Sequence, residues 1–241
     1  ILFTKHSRFA DLKRKLETVK KKKAKILVIV VFGIGFTATA QNHENHAPTR
    51  AQIDSIIEKN KVTQDHAAKF GRLIVQDEGG RMKPVNTFSS ELLRKVSKSD
   101  TYNGMNSDQV FLSMTQFPRV WFEVPLVYIK NGNDSIRKII GLDPKEKYAP
   151  FIKFFDERGN YKLSPYLEEA YKAALPDQFQ KDFIETDRKV NLLNSALSGS
   201  ILKIFPIPND ANNKWISYLE LHSAKIHGID STFVRNIMPL Y

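Results

Sequence analysis

No cysteine occurs anywhere in the 241 residues. That removes a disulfide framework, a thiolate metal site, covalent cysteine chemistry and any CxxCH haem-attachment segment, so the chain is not itself a c-type cytochrome. It is compatible with an oxidising exported compartment without demonstrating one. Also absent are a phosphate loop, a nucleotide-binding glycine fingerprint, HExxH and GxSxG, and with them the best-marked nucleotide, zinc-protease and hydrolase chemistries. No internal repeat or low-complexity tract stands out beyond one lysine run. What remains is a globular composition, 41% hydrophobic and 11% aromatic, enough for one sizeable core with small appendages.

The formal charge of +11 is unevenly spread. Residues 1–25 hold ten of the 37 basic side chains and two of the 26 acidic ones, leaving 27 and 24 for the rest of the chain. A body so nearly balanced offers little counterion release, so nucleic acid is not an expected partner. Directly after the basic block, residues 26–40 (ILVIVVFGIGFTATA) carry no charge. Fifteen helical residues reach about 22 Å, and flanking residues extend this toward the ~30 Å hydrocarbon core. The adjoining lysines make the N-terminal side cytoplasmic. The expectation is a basic cytoplasmic segment at 1–25, a transmembrane helix at 26–41, a linker and short helix at 42–60, and an exported (periplasmic), mainly helical domain at 61–241. Residues 7–25 read equally as a membrane-surface helix or a charged loop. Ala38-Thr39-Ala40 before Gln41 also fits a signal-peptidase site, which requires an unusually long basic leader. The opening Ile1-Leu2-Phe3, without Met, is what a piece of a longer protein shows.

The most individual stretch runs over residues 66–96, HAAKFGRLIVQDEGGRMKPVNTFSSELLRKV. Leu73-Ile74-Val75 favours a strand, Asp77-Glu78-Gly79-Gly80 a turn, and Arg81-Met82-Lys83 the return. Pro84 ends the pairing for want of an N–H, and Thr87 is placed to cap a helix that buries Phe88, Leu92, Leu93 and Val96. Further helices are expected at 49–60 behind Thr49, at 107–117, at 144–155 behind Asp143 and Pro144, at 164–174, and at 177–198. In the last, Phe179, Phe183, Thr186, Val190, Leu193 and Leu197 recur on one face. Residues 124–129 and 201–205 read as strands, 135–140 as either strand or helix, and Trp215 as the opening of a helix to about residue 225. The fold class predicted is mainly α with a small β-hairpin, one transmembrane helix preceding an exported helical domain.

Few residues in this pattern carry chemistry. Asp77 and Glu78 sit at a turn tip, where neighbouring carboxylates point apart into solvent and make poor acid–base partners. His43 and His46 lie in a polar linker, where two imidazoles make a weak metal site. His66 stands beside the hairpin, and an imidazole there can ligate haem iron axially, although most such histidines are exposed or hydrogen-bonded. His222 and His227 lie near the C-terminal end. Trp121 and Trp215 suit the core.

The run FGRLIVQDEGGRMKPVNTFSSELLRKV, with KYAPFIKFFDERGNYKL at 147–163 and ILKIFPIPNDANNKW at 201–215, resembles the cytochrome c biogenesis proteins of the system II type, in particular fused forms that join a ResB-like part to a CcsA-like part. The likeness covers most of residues 60–241. It implies an inner-membrane machine that exports haem and attaches it to apocytochrome c, with apocytochrome c, haem and the remaining transmembrane parts of the complex as partners. Under it, the chain resembles part of a cytochrome c synthase or haem lyase. The family's tryptophan-rich haem-presenting motif and membrane-embedded histidines have no counterpart here, so the piece is expected to supply a positioning or shielding domain. No catalytic residue is carried over, and His66 is the single cofactor-binding candidate. The alternative is a membrane-anchored solute-binding or scaffold module without a haem role.

Overall fold

The computed structural model describes residues 48–223 except Asn133, and of His222 and Ser223 only the backbone. The basic segment, the expected span at 26–41 and the alternative cleavage site lie outside the described residues, as do His43, His46 and His227.

Helix α1 (Arg50–Lys59) opens on a capping box: Thr49 Oγ1 accepts from the Gln52 N–H, and Gln52 Oε1 accepts from the Thr49 N–H. Helix α2 (Gln64–Gly71) is capped by Thr63. A short antiparallel pair follows, β1 (Ile74–Gln76) with β2 (Met82–Pro84), in the register Ile74↔Pro84, Val75↔Lys83 and Gln76↔Met82. The chain passes directly into α3 (Val85–Ser97), whose cap position is Pro84. Thr87 is therefore not the cap: it sits inside the first turn, and its hydroxyl bonds the Asn86 side chain. The Val85 N–H instead reaches back to the Leu73 carbonyl at 2.8 Å. The predicted buried face of Phe88, Leu92, Leu93 and Val96 is observed.

A two-residue pair, β3 (Thr101–Tyr102) and β4 (Met105–Asn106), leads into α4 (Ser107–Gln116) behind an Asn106–Gln109 capping box. Pro118 does not merely stop α4; as a first-turn residue it starts the short α5 (Pro118–Phe122). Strand β5 (Pro125–Tyr128) follows, then α6 (Asp134–Ile140). Beyond it the predicted helix at 144–155 is replaced by β6 (Tyr148–Pro150) and a 3₁₀ turn (Phe151–Phe154). Pro150 could not sit in a helix interior, and β5 takes this segment as its antiparallel partner. Then come α7 (Ser164–Lys172), α8 (Gln178–Leu197), the pair β7 (Lys203–Pro206) with β8 (Trp215–Ser217), and α9 (Tyr218–Ser223). Trp215 thus begins a strand where a helix was expected.

The fold class must be corrected. Helices and strands are mixed among the described residues, nine α-helices with four two-stranded antiparallel sheets. No helix among the described residues is long and apolar enough to cross a membrane. Short β-favouring runs separated by Pro, Gly and Asn pair locally here instead of joining helices.

Helix α8 organises the core. Its Asp177–Gln180 capping box is complete, and it packs against α7, α3, α4, α5, the 3₁₀ turn and β5. Phe183, Val190, Leu193 and Leu197 are buried as predicted, whereas Phe179 stays 42% exposed. Trp121 is buried, its indole N–H donating to Ser113 Oγ at 2.9 Å. Gly71 allows one close approach: a Cβ there would lie 2.5 Å from Asp108 Oδ2, and Asp108 is held in turn by the Ser89 hydroxyl.

Candidate functional site

A cleft of about 420 Å³ opens where four separate segments meet: the start of α1, the turn after α3, the beginning of β5 and the approach to β6. That volume lies within the range of small-ligand and peptide pockets. Arg50 and Tyr102 form one side. The guanidinium bonds Asp54 through Nε and the Tyr102 hydroxyl through Nη2, both at 2.9 Å. The Tyr102 hydroxyl and the Asn103 amide also donate to Asp54 Oδ1. Asp54 is thus surrounded by three donors, and Arg50 and Asp54 neutralise each other. Burial pushes the Tyr102 phenol up to about 12, so it remains a neutral donor at physiological pH.

The opposite side is Glu146, Lys147 and Tyr148. Two buried cations hold this wall from behind. Arg137, only 1% exposed, donates to the carbonyls of Glu146, Lys130 and Ile129 at 3.0–3.1 Å and to Asn131 Oδ1 at 3.3 Å. Lys189, 5% exposed, donates to the Tyr128 carbonyl at 3.0 Å and pairs with Glu185 at 2.9 Å. Its ammonium also lies over the Tyr128 ring, which meets Tyr148 edge-on. Burial lowers the Lys189 pKa more than Glu185 raises it, and Glu185 is lowered chiefly by its bond to Lys189. The cleft wall is therefore fastened to α8, the most central helix.

A second polar group lies between α7 and α8. Asp187 accepts from the Tyr171 hydroxyl at 2.8 Å. The Tyr161 hydroxyl, fully buried, faces the same carboxylate without reaching good hydrogen-bond geometry. Burial raises the pKa of Asp187 against the opposing bond from Tyr171. It also pushes both phenols up, Tyr171 to about 12.

His66 stands in the first turn of α2 with an exposed side chain, and its backbone N–H is received by Thr63 Oγ1. It is not among the residues that line the cleft. Asp77 is more than a solvated turn charge. Its carboxylate accepts from the Gly79 and Arg81 N–H groups and meets Lys83 at 3.1 Å, and the Arg81 bond leads in lowering its pKa. Gln76 closes the hairpin region by a different route: its amide donates to the Asn213 carbonyl, and its oxygen accepts from the Trp215 N–H. The cleft residues Arg50, Tyr102, Asn103, Lys147 and Tyr148 were not predicted as a site. They come from segments up to about a hundred residues apart, and none forms a local motif.

The cleft lining offers no imidazole or thioether for iron, and no cluster of three or more metal-ligating side chains exists among the described residues. The cleft's chemistry is that of the Arg50–Asp54 pair, neutral hydroxyl and amide groups, the charged side chains of Glu146 and Lys147, and two tyrosine rings.

No protein-family model matches the chain. It is 35% identical over 194 residues to Protein NrfI of Wolinella succinogenes, the aligned part being 74% of this chain and 21% of that protein. The chain spans about a fifth of the length of the curated relative it matches. The similarity relates most of this chain to one part of that longer protein.

Proposed function

We propose that the described domain serves cytochrome c maturation as a positioning module, holding the apocytochrome polypeptide while other parts of the machine handle haem and form the covalent bonds. The observation that carries this reading is the 35% identity to Protein NrfI over most of the chain. It agrees with the resemblance carried by the hairpin run and its two companions. The cleft supplies hydrogen-bonding groups and tyrosine rings without an imidazole or thioether, which suits contact with protein better than contact with metal. We place the domain on the exported side of the inner membrane, because ten of the 37 basic residues are concentrated ahead of it, in residues 1–25.

The test uses the complete protein in its own cells. Tyr148→Ala combined with Lys147→Gln changes the cleft rim without touching the core. The expected result is a several-fold drop in holocytochrome c, read by haem staining, at unchanged levels of the variant protein. Wild-type holocytochrome yield from a well-folded double variant would remove the cleft from the pathway. His66 is tested in the same setting: His66→Ala lowers co-purifying haem if the imidazole reaches iron, and unchanged haem content ends its candidacy.

A further inference from the structure

The cleft borders a strand with one open side. Strand β6 is paired with β5 alone, in a two-stranded sheet. The Lys147 carbonyl accepts from the Ile129 N–H at 2.9 Å, so Lys147 turns its main chain toward β5. In an antiparallel ladder the next residue turns its N–H and C=O to the opposite edge. That residue is Tyr148, which lines the cleft and is 38% exposed.

Charge narrows the choice of ligand. Arg50 is neutralised by Asp54. Lys147 and Glu146 line the cleft without an ion pair among the described residues, and they carry one charge of each sign. Such a cleft has no net demand for an anion, which disfavours nucleotides and lipid headgroups. A polypeptide main chain presents a donor and an acceptor at every residue and no net charge. Pro125 and Leu126 add apolar lining, and the Tyr148 ring offers a flat contact for side chains.

We infer that the cleft takes an extended polypeptide segment that adds as a third strand to the open edge of β6, pairing with the N–H and C=O of Tyr148. Lys147 and Glu146 set its direction by meeting side chains of opposite charge. Recognition of this kind is made mostly through the main chain and tolerates varied sequences. The identity of the segment as apocytochrome rests on the function proposed above; the edge pairing does not.

The experiment uses the purified chain and three fluorescent synthetic peptides, read by anisotropy. The first is a haem-free apocytochrome segment containing CxxCH, kept reduced. The second is the same segment N-methylated at alternate residues, which deletes the donors along one edge. The third is an unrelated extended peptide of equal length and charge. The expected result is that the first binds, that N-methylation weakens it about tenfold, and that amide exchange at Tyr148 slows on binding. Binding that N-methylation leaves unchanged overturns the strand pairing while sparing the proposed function. Binding of the unrelated peptide alone, with Tyr148 protected, keeps the pairing and overturns apocytochrome as its partner. Failure of both unmodified peptides to bind overturns the inference. Glu146→Gln and Lys147→Gln, both solvent-facing, are expected to shift affinity for an acidic peptide in opposite directions, upward and downward. Equal shifts would remove the charge-directed orientation.

Discussion

Two buried ionisable centres in this molecule are built on opposite terms. Arg137 is as enclosed as any side chain in the core, yet three carbonyls and an amide oxygen receive its N–H groups. Asp187 is also buried, but only Tyr171 bonds it squarely, and the hydroxyl of a second phenol, Tyr161, faces it without reaching good hydrogen-bond geometry. A buried charge is tolerated when its hydrogen-bonding capacity is filled, and it is shifted toward neutrality when it is not. Arg137 thus acts as a fixed strut under the cleft wall. The Asp187 group leaves room for a proton to matter.

The contrast can be broken most severely at Arg137. Arg137→Met leaves four oxygens without their donor and is expected to cost about 3–5 kcal/mol in urea unfolding. A loss under 1 kcal/mol would mean that the strut is dispensable. Asp187→Ala should cost less, about 1–2 kcal/mol, because the Tyr171 ring is 51% exposed and water can reach its hydroxyl.

The pH response sharpens the comparison further. The folded pKa of Asp187 is raised above its ordinary value of 3.8 by burial, so the native state holds the proton more tightly than the unfolded chain. Its stabilising contribution is complete below 3.8 and is lost as pH rises through the folded value. Asp77 and Glu185 run the other way, since their lowered pKa values give stability that is lost in acid. The wild-type curve therefore mixes both signs, and the difference from Asp187→Asn isolates the first. That variant should become relatively more stable than wild type as pH rises through the folded pKa of Asp187; a flat difference would contradict the burial effect. The smallest effect is expected at Tyr161→Phe, within about 0.5 kcal/mol of wild type, since the deleted hydroxyl reaches no good hydrogen-bond geometry. A loss above 1 kcal/mol would show that Tyr161 is bonded after all.

Legibility in the sequence followed the range of the interactions. Helices closed by local chemistry were readable: α1 with Thr49 and Gln52, and α8 with Asp177 and its apolar face, lie within a residue or two of their predicted bounds. The β1–β2 turn was readable from Asp77 and the two glycines. Segments whose form depends on a distant partner were not. Residues 148–150 become a strand because β5 lies beside them, and Trp215 starts a strand because residues 203–206 pair with it. Helix α2 was missed because its apolar content is slight, its cap Thr63 being the one local signal. The cleft was invisible for a simpler reason: Arg50, Tyr102 and Tyr148 acquire a common purpose only when α1, β3 and β6 are brought together.

Gln76 ties residues separated by 137 and 139 positions along the chain, through the Asn213 carbonyl and the Trp215 N–H. On a ribosome, the β1–β2 hairpin and everything up to α8 emerge well before those partners exist. Through that interval the Gln76 amide has only its local acceptor, the Gly80 carbonyl. Closing so long a loop is slow on the scale of local helix formation. Docking of the β7–β8 pair onto β1 is therefore expected to follow formation of the helical core, and Gln76→Ala should slow or loosen that step while leaving the α3–α4–α8 core intact.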